Sequence, residues 1–171
     1  MRPSLSFLAI CTCLTLSAAV RADMYSDVNA LVQSGQWSKA QALADTRLQS
    51  APADPQMRLL QSRIQTGLGQ TQAAMETLRA LTQSYTELPE PYNNLAVLLV
   101  RENRLTEALQ ALQTAVQVRP DYALALENLG DTHLALAIEA YAQAMKSAPV
   151  QGPVPRIQNK KTAAEQALKT P

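Results

Sequence analysis

The sequence predicts an all-α chain, a short α-solenoid of helix-turn-helix repeats, and three observations carry that expectation. The first is composition: 47% of the residues are hydrophobic and only 4% aromatic, and abundant Ala, Leu and Gln beside few β-branched residues favour helix over sheet. The second is periodicity. Tyr92, Leu95, Ala96 and Leu99 follow one another at helical spacing, a polar turn runs from Arg101 to Arg104, and Ala108, Leu112, Ala115 and Val118 then share one face of a second helix that Pro120 stops. The third is recurrence. A step of 34 residues back from Asn103 lands on Gly69 and another on Gly35, places where a turn wants a residue tolerant of positive φ, and the same steps from Ala108 reach Ala74 and Ala40.

A bulky residue, Leu, a small residue and a bulky residue, followed by Ala, a bulky residue, Ala and Pro, is a pattern that resembles the tetratricopeptide repeat. Tyr92, Leu95, Ala96, Leu99, Ala108, Leu112, Ala115 and Pro120 fill those places, and Gly35 and Gly69 hold the equivalent turns. The middle unit departs from it, with Thr86 where the proline belongs. The resemblance covers residues 23–149. It implies a non-enzymatic protein-protein interaction module, similar to the small periplasmic repeat proteins of Gram-negative bacteria that serve as envelope adaptors, although a repeat fold does not name a machine.

Residues 1–22 read as a cleavable signal peptide. Arg2 supplies the positive start, Leu5 to Val20 the apolar run, and Val20-Arg21-Ala22 the small residues a signal peptidase reads before Asp23. Both cysteines, Cys11 and Cys13, fall inside this segment, and Ile10 and Thr12 stand where a lipoprotein signal requires a small residue, so a periplasmic protein without a lipid anchor is expected. The formal charge is +1; loss of Arg2 and Arg21 leaves 13 basic against 14 acidic residues. No basic stripe appears, and no nucleic-acid partner is expected.

The units then run 23–54, 55–88, 89–122 and a shortened 123–149. In the first, Trp37 is expected to cover the turn with its ring. Asp54 should cap the next helix with Pro55 at its first position. In the fourth, Leu126, Leu129, Gly130 and His133 align with Tyr92, Leu95, Ala96 and Leu99, but Ala137, Tyr141, Ala144 and Pro149 arrive five residues early. With the turn deleted, the spacing predicts one continuous helix from about Asp121 to Ser147. Its apolar stripe would run through Tyr122, Leu126, Leu129, His133, Leu136, Ala140 and Ala144. Its second half needs cover, from the capping helix predicted within residues 156–171 after a linker at 150–155, or from a second chain, which would make residues 134–147 a homodimer arm.

No nucleophile elbow, phosphate loop or metal-ligand spacing is present, so neither catalysis nor a cofactor nor a metal is expected. If the first helix of each unit lines a groove, as the resemblance implies, its floor includes Leu59, Arg63, Glu90, Asn93, Asn94, Val97, Arg101, Glu127 and Asp131. Asn93, Asn94 and Glu127 are the foremost contacts for a protein or peptide partner. The Lys and Asn of the family's carboxylate clamp are not both in place, since those positions hold Tyr25 and Asn29, then Leu59 and Arg63. A second reading stays open: an enzyme accessory or weak hydrolase using Glu127, Asp131 and His133.

Overall fold

A computed structural model of the chain describes residues 24–147 and 154–169. The predicted signal segment and most of the predicted linker lie outside the described residues. Helices follow in the order α1 (residues 24–33), α2 (Trp37–Ser50), α3 (Pro55–Gly67), α4 (Thr71–Ser84), α5 (Pro89–Arg101), α6 (Leu105–Val118), α7 (Ala123–Ser147) and α8 (Val154–Lys169), with no strand among the described residues. The all-α, repeat-built solenoid class read from the sequence is the class observed.

Three chain reversals share one hydrogen-bond pattern. After α1 the N–H of Gly35 donates to the carbonyl of Val32 at 3.2 Å and that of Gln36 to Leu31 at 2.9 Å. One period on, Gly69 donates to Thr66 at 3.0 Å and Gln70 to Gln65 at 2.8 Å; one further, Asn103 donates to Val100 at 3.0 Å and Arg104 to Leu99 at 2.8 Å. This paired closure is the Schellman C-cap, which needs one left-handed residue. Those residues are Gly35 at φ 68°, Gly69 at 76° and Asn103 at 56°, and asparagine is among the few side chains that tolerate that region.

The chain divides into two compact units at Thr77 and Leu78. The first is built around Val28, Val32, Ala40, Ala44, Met57, Leu60 and Ile64. Asp54 organises its polar side. One carboxylate oxygen accepts the Met57 N–H at 3.1 Å and caps α3, with Pro55 at the first helical position. The other oxygen takes the Tyr25 hydroxyl and, at 2.8 Å, Arg47 Nη2, so a single carboxylate ties α1, α2 and α3. Burial pushes the Asp54 pKa up, but hydrogen bonds from Tyr25, the Met57 N–H and Arg47 outweigh it and hold the carboxyl below its ordinary value. Trp37, at the first position of α2, lays its ring on Gly67 at the end of α3: a Cβ there would come within 2.4 Å of the indole.

In the second compact unit α5 and α6 pack together, with Ala96, Ala108, Leu112 and Ala115 all fully buried. The Tyr92 hydroxyl donates to the Thr82 carbonyl at 3.0 Å and fixes α5 to the end of α4. Then α7 runs unbroken for 25 residues, past Ala137, where the period would put a fourth reversal, and α8 packs back along it. The continuous helix is as expected; α8 begins at Val154 rather than 156, since Pro155 in a first turn costs no hydrogen bond.

The side of α7 that is buried differs from the expected stripe. Ala125 and Thr132 are buried and Leu129 half-buried, whereas Leu126 is 44% exposed and Gly130, His133, Ala140 and Ala144 face solvent. In α5 two flanks are covered, one of them by α6, the second helix of its own unit. The fourth unit's second helix instead prolongs α7, so the flank that such a helix would cover is bare.

Candidate functional site

The polar residues predicted to line a groove fall into distinct situations. In the first compact unit Arg63 Nη1 donates to Asn29 Oδ1 at 3.0 Å. These two residues are one repeat period apart, so equivalent places on successive first helices bridge each other. In the second compact unit Asn93 is only 1% exposed. Its Oδ1 accepts from Asn128 Nδ2 at 2.8 Å and its Nδ2 donates to Asn94 Oδ1 at 3.4 Å. Asn93 is therefore a buried fastener between α5 and α7, not a ligand contact. The helix that buries it brings the matching amide 35 residues later, and a buried amide left without a partner would be costly. Glu90 forms an ion pair with Arg119 at 2.9 Å, and that guanidinium lies 5.2 Å from the Tyr122 ring centroid. Glu127 is exposed on α7.

Val97, Arg101 and Asp131 are brought together. They line a cavity of about 300 Å³ between α5 and α7, floored by Ala96 and Leu112 and walled by Asn128, Thr132 and Ala135, with Leu168 of α8 at its edge. Val100 and Leu168, 39% and 40% exposed, rim the mouth. The walls are largely apolar, Thr132 donates its hydroxyl to the Asn128 carbonyl at 2.8 Å, and Arg101 and Asp131 put one charge of each sign at the entrance. Such a place suits a large apolar side chain whose flanking backbone or charges meet the rim. Sequence reasoning named Val97, Arg101 and Asp131 but missed Val100, Asn128 and Leu168; the last could not be found from any repeat register because α8 lies outside it.

The hydrolase constellation does not assemble. Glu127 and Asp131 are one turn apart on α7, but His133 is two residues from Asp131, and residues so spaced do not face each other on a helix.

Two family models match the chain, one described as "Tetratricopeptide repeat" over residues 25–89 and one as "TPR repeat" over residues 98–136. The chain belongs to the tetratricopeptide-repeat family. Its fold is that of a protein-protein interaction module. Among solved structures it is similar to a thermophilic tetratricopeptide-repeat protein of Thermus thermophilus, at 23% identity and TM-score 0.63 over 86% of this chain and 82% of that one. It is similar to MamA at 20% identity and TM-score 0.58 over 83% and 85% of the two chains. It also matches a chain in the structure of Naa15/Naa10 bound to HypK-THB, at 15% identity and TM-score 0.60, covering 88% of this chain but 25% of that one. At these identities the likeness shows the fold alone. No curated protein matches the chain by sequence.

Proposed function

We propose that this tetratricopeptide-repeat protein is a non-enzymatic adaptor of the bacterial envelope, exported by residues 1–22, that holds a protein or peptide partner on the groove side of α5 and α7. The observation that carries the reading is the convergence of Val97, Arg101 and Asp131 on one apolar cavity with both charges at its rim. Arg63, Glu90 and Asn93 are instead engaged within the fold. Export rests on the leader-like composition of residues 1–22, and the exported chain would lack cysteine and with it any thiolate chemistry.

Capture from envelope extract tests the reading, with the wild-type chain beside a Val100→Asp, Arg101→Glu double variant. Both side chains are exposed, so each change should move stability by about 0.5 kcal/mol or less. The adaptor reading expects one stoichiometric partner on the wild type and at least about tenfold less on the variant, the factor that about 1.4 kcal/mol represents. Equal capture by both would place the partner elsewhere; no captured protein, or a chain retained in the cytoplasmic fraction, would overturn the envelope role.

A further inference from the structure

The bare flank of α7 has a counterpart within the same molecule. In the intact third unit α5 and α6 pack together across a tight turn, and the antiparallel register this imposes sets Tyr92, Ala96 and Leu99 of α5 opposite Ala115, Leu112 and Ala108 of α6, with small buried residues at Ala96, Ala108 and Ala115. The equivalent flank of α7 is Leu126, Gly130, His133. Leu126 is 44% exposed and a Cβ added at Gly130 would meet nothing within 4 Å. The equivalent second-helix stripe also exists. It is Ala137, Tyr141, Ala144, and it lies on the far half of α7 on the same side of the helix, because Leu126, Gly130, His133, Ala137, Tyr141 and Ala144 step by fours and threes. The missing turn keeps this stripe from folding back on its own first half. Helix α8 does not fill the place either: it packs along α7, where Leu134, Ile138, Tyr141 and Met145 are half-buried, and it leaves Leu126, Gly130, His133 and Ala144 exposed, with Ala137 half-buried between them.

We propose that a second copy of the chain supplies the missing helix, so that two α7 helices pair antiparallel and each completes the other's fourth unit. Pairing Leu126 with Ala144, Gly130 with Tyr141 and His133 with Ala137 reproduces the bulky-on-small register of Tyr92 with Ala115, Ala96 with Leu112 and Leu99 with Ala108. The register is its own mirror under a two-fold axis that crosses α7 near Ala135, which makes the interface isologous and closes the assembly at two chains. A shortened hairpin that can no longer close within one chain is a recognised route to exchange between two. The groove cavity is on another side of α7, since Asp131 and Ala135 point there, so the dimer leaves it open.

The experiment uses the full chain with Cys11→Ser and Cys13→Ser. Sedimentation equilibrium should give a dimer. Ala144→Glu, at a solvent-exposed position of the single chain, should weaken it about hundredfold or more because a carboxylate would be buried without a partner. Circular dichroism should show the same helix content in both. Mixing a Leu126→Cys chain with an Ala144→Cys chain should yield a disulfide-linked pair under mild oxidation, while neither chain alone cross-links with itself. Along a single α7 those positions are about 18 residues apart, ~27 Å at 1.5 Å per residue, too far to bridge within one chain. A monomeric mass at the highest soluble concentration, a dimer indifferent to Ala144→Glu, or no cross-link in the mixture would each overturn the proposal. None of these readouts involves the groove's partner, so failure here leaves the adaptor reading standing.

Discussion

The third unit and the fourth start from the same pattern and end as different objects. In the third, Asn103 accepts a left-handed backbone, two hydrogen bonds close the helix end, and α6 returns over α5. In the fourth, the stretch from Ala123 to Ser147 has neither a proline nor a residue suited to that conformation where the turn should be, and the helix continues. The contrast shows that reversal in this fold is a local decision with a non-local consequence for burial. Five residues fewer at a turn leave one flank of a helix uncovered, and Leu126, Gly130 and His133 pass from core places to the surface.

Truncation should expose the contrast most strongly. Leu112 is fully buried, so Leu112→Ala should cost ~2 to 5 kcal/mol. Leu126→Ala, on the bare flank, should cost under about 1 kcal/mol. Urea midpoints of the two variants, compared under conditions that keep the chain monomeric, check the difference.

Glycine replacements should differ in sign. In Gly67→Ala the new methyl would meet the Trp37 ring at 2.4 Å, an overpacking that should cost ~1 to 3 kcal/mol. In the single chain Gly130→Ala puts a better helix former into open space and, under conditions that keep the chain monomeric, should stabilise α7 by ~0.5 to 1 kcal/mol. Thermal melts read both. A loss at both positions under those conditions would mean that the α7 flank is not open in the single chain.

The smallest effect concerns acid. Asp54 is held below its ordinary pKa, so its contribution is complete above the unfolded-state value of about 3.9 and is lost as pH falls through the lower folded-state value. Stability of the first unit should therefore decline below about pH 4, and Asp54→Asn should flatten that decline. A pH series of denaturation midpoints on both chains decides it.

Much of this was legible because the repeat writes its turns in residue types. Gly35, Gly69 and Asn103 stand at the one position each reversal constrains by backbone sterics, and Ala40, Ala74 and Ala108 at the one where two helices touch, so a step of 34 residues found them. The length of α7 followed from the absence of such a residue. Its orientation did not, because aligning Leu126 and His133 with Tyr92 and Leu99 carries over a covering helix that the fourth unit lacks. Asn93 read as a groove amide for a similar reason: polarity marks the surface only if no partner arrives, and Asn128 arrives from the next first helix. The join of Tyr25, Arg47 and Asp54 left no trace in spacing, since its members come from three helices with unrelated registers.

The continuity of α7 supports both the bare flank and the placement of Asp131 beside Val97 and Arg101. A distance between spin labels at Leu124→Cys and Lys146→Cys, both exposed, tests it most directly, in the full chain lacking Cys11 and Cys13 and diluted into unlabelled protein. Double electron–electron resonance should give a single population near ~33 Å, that is 1.5 Å for each intervening step. A fourth reversal near Ala137 would instead bring the two labels to the ~8 to 10 Å spacing of packed helices, and that result would contradict the fused helix.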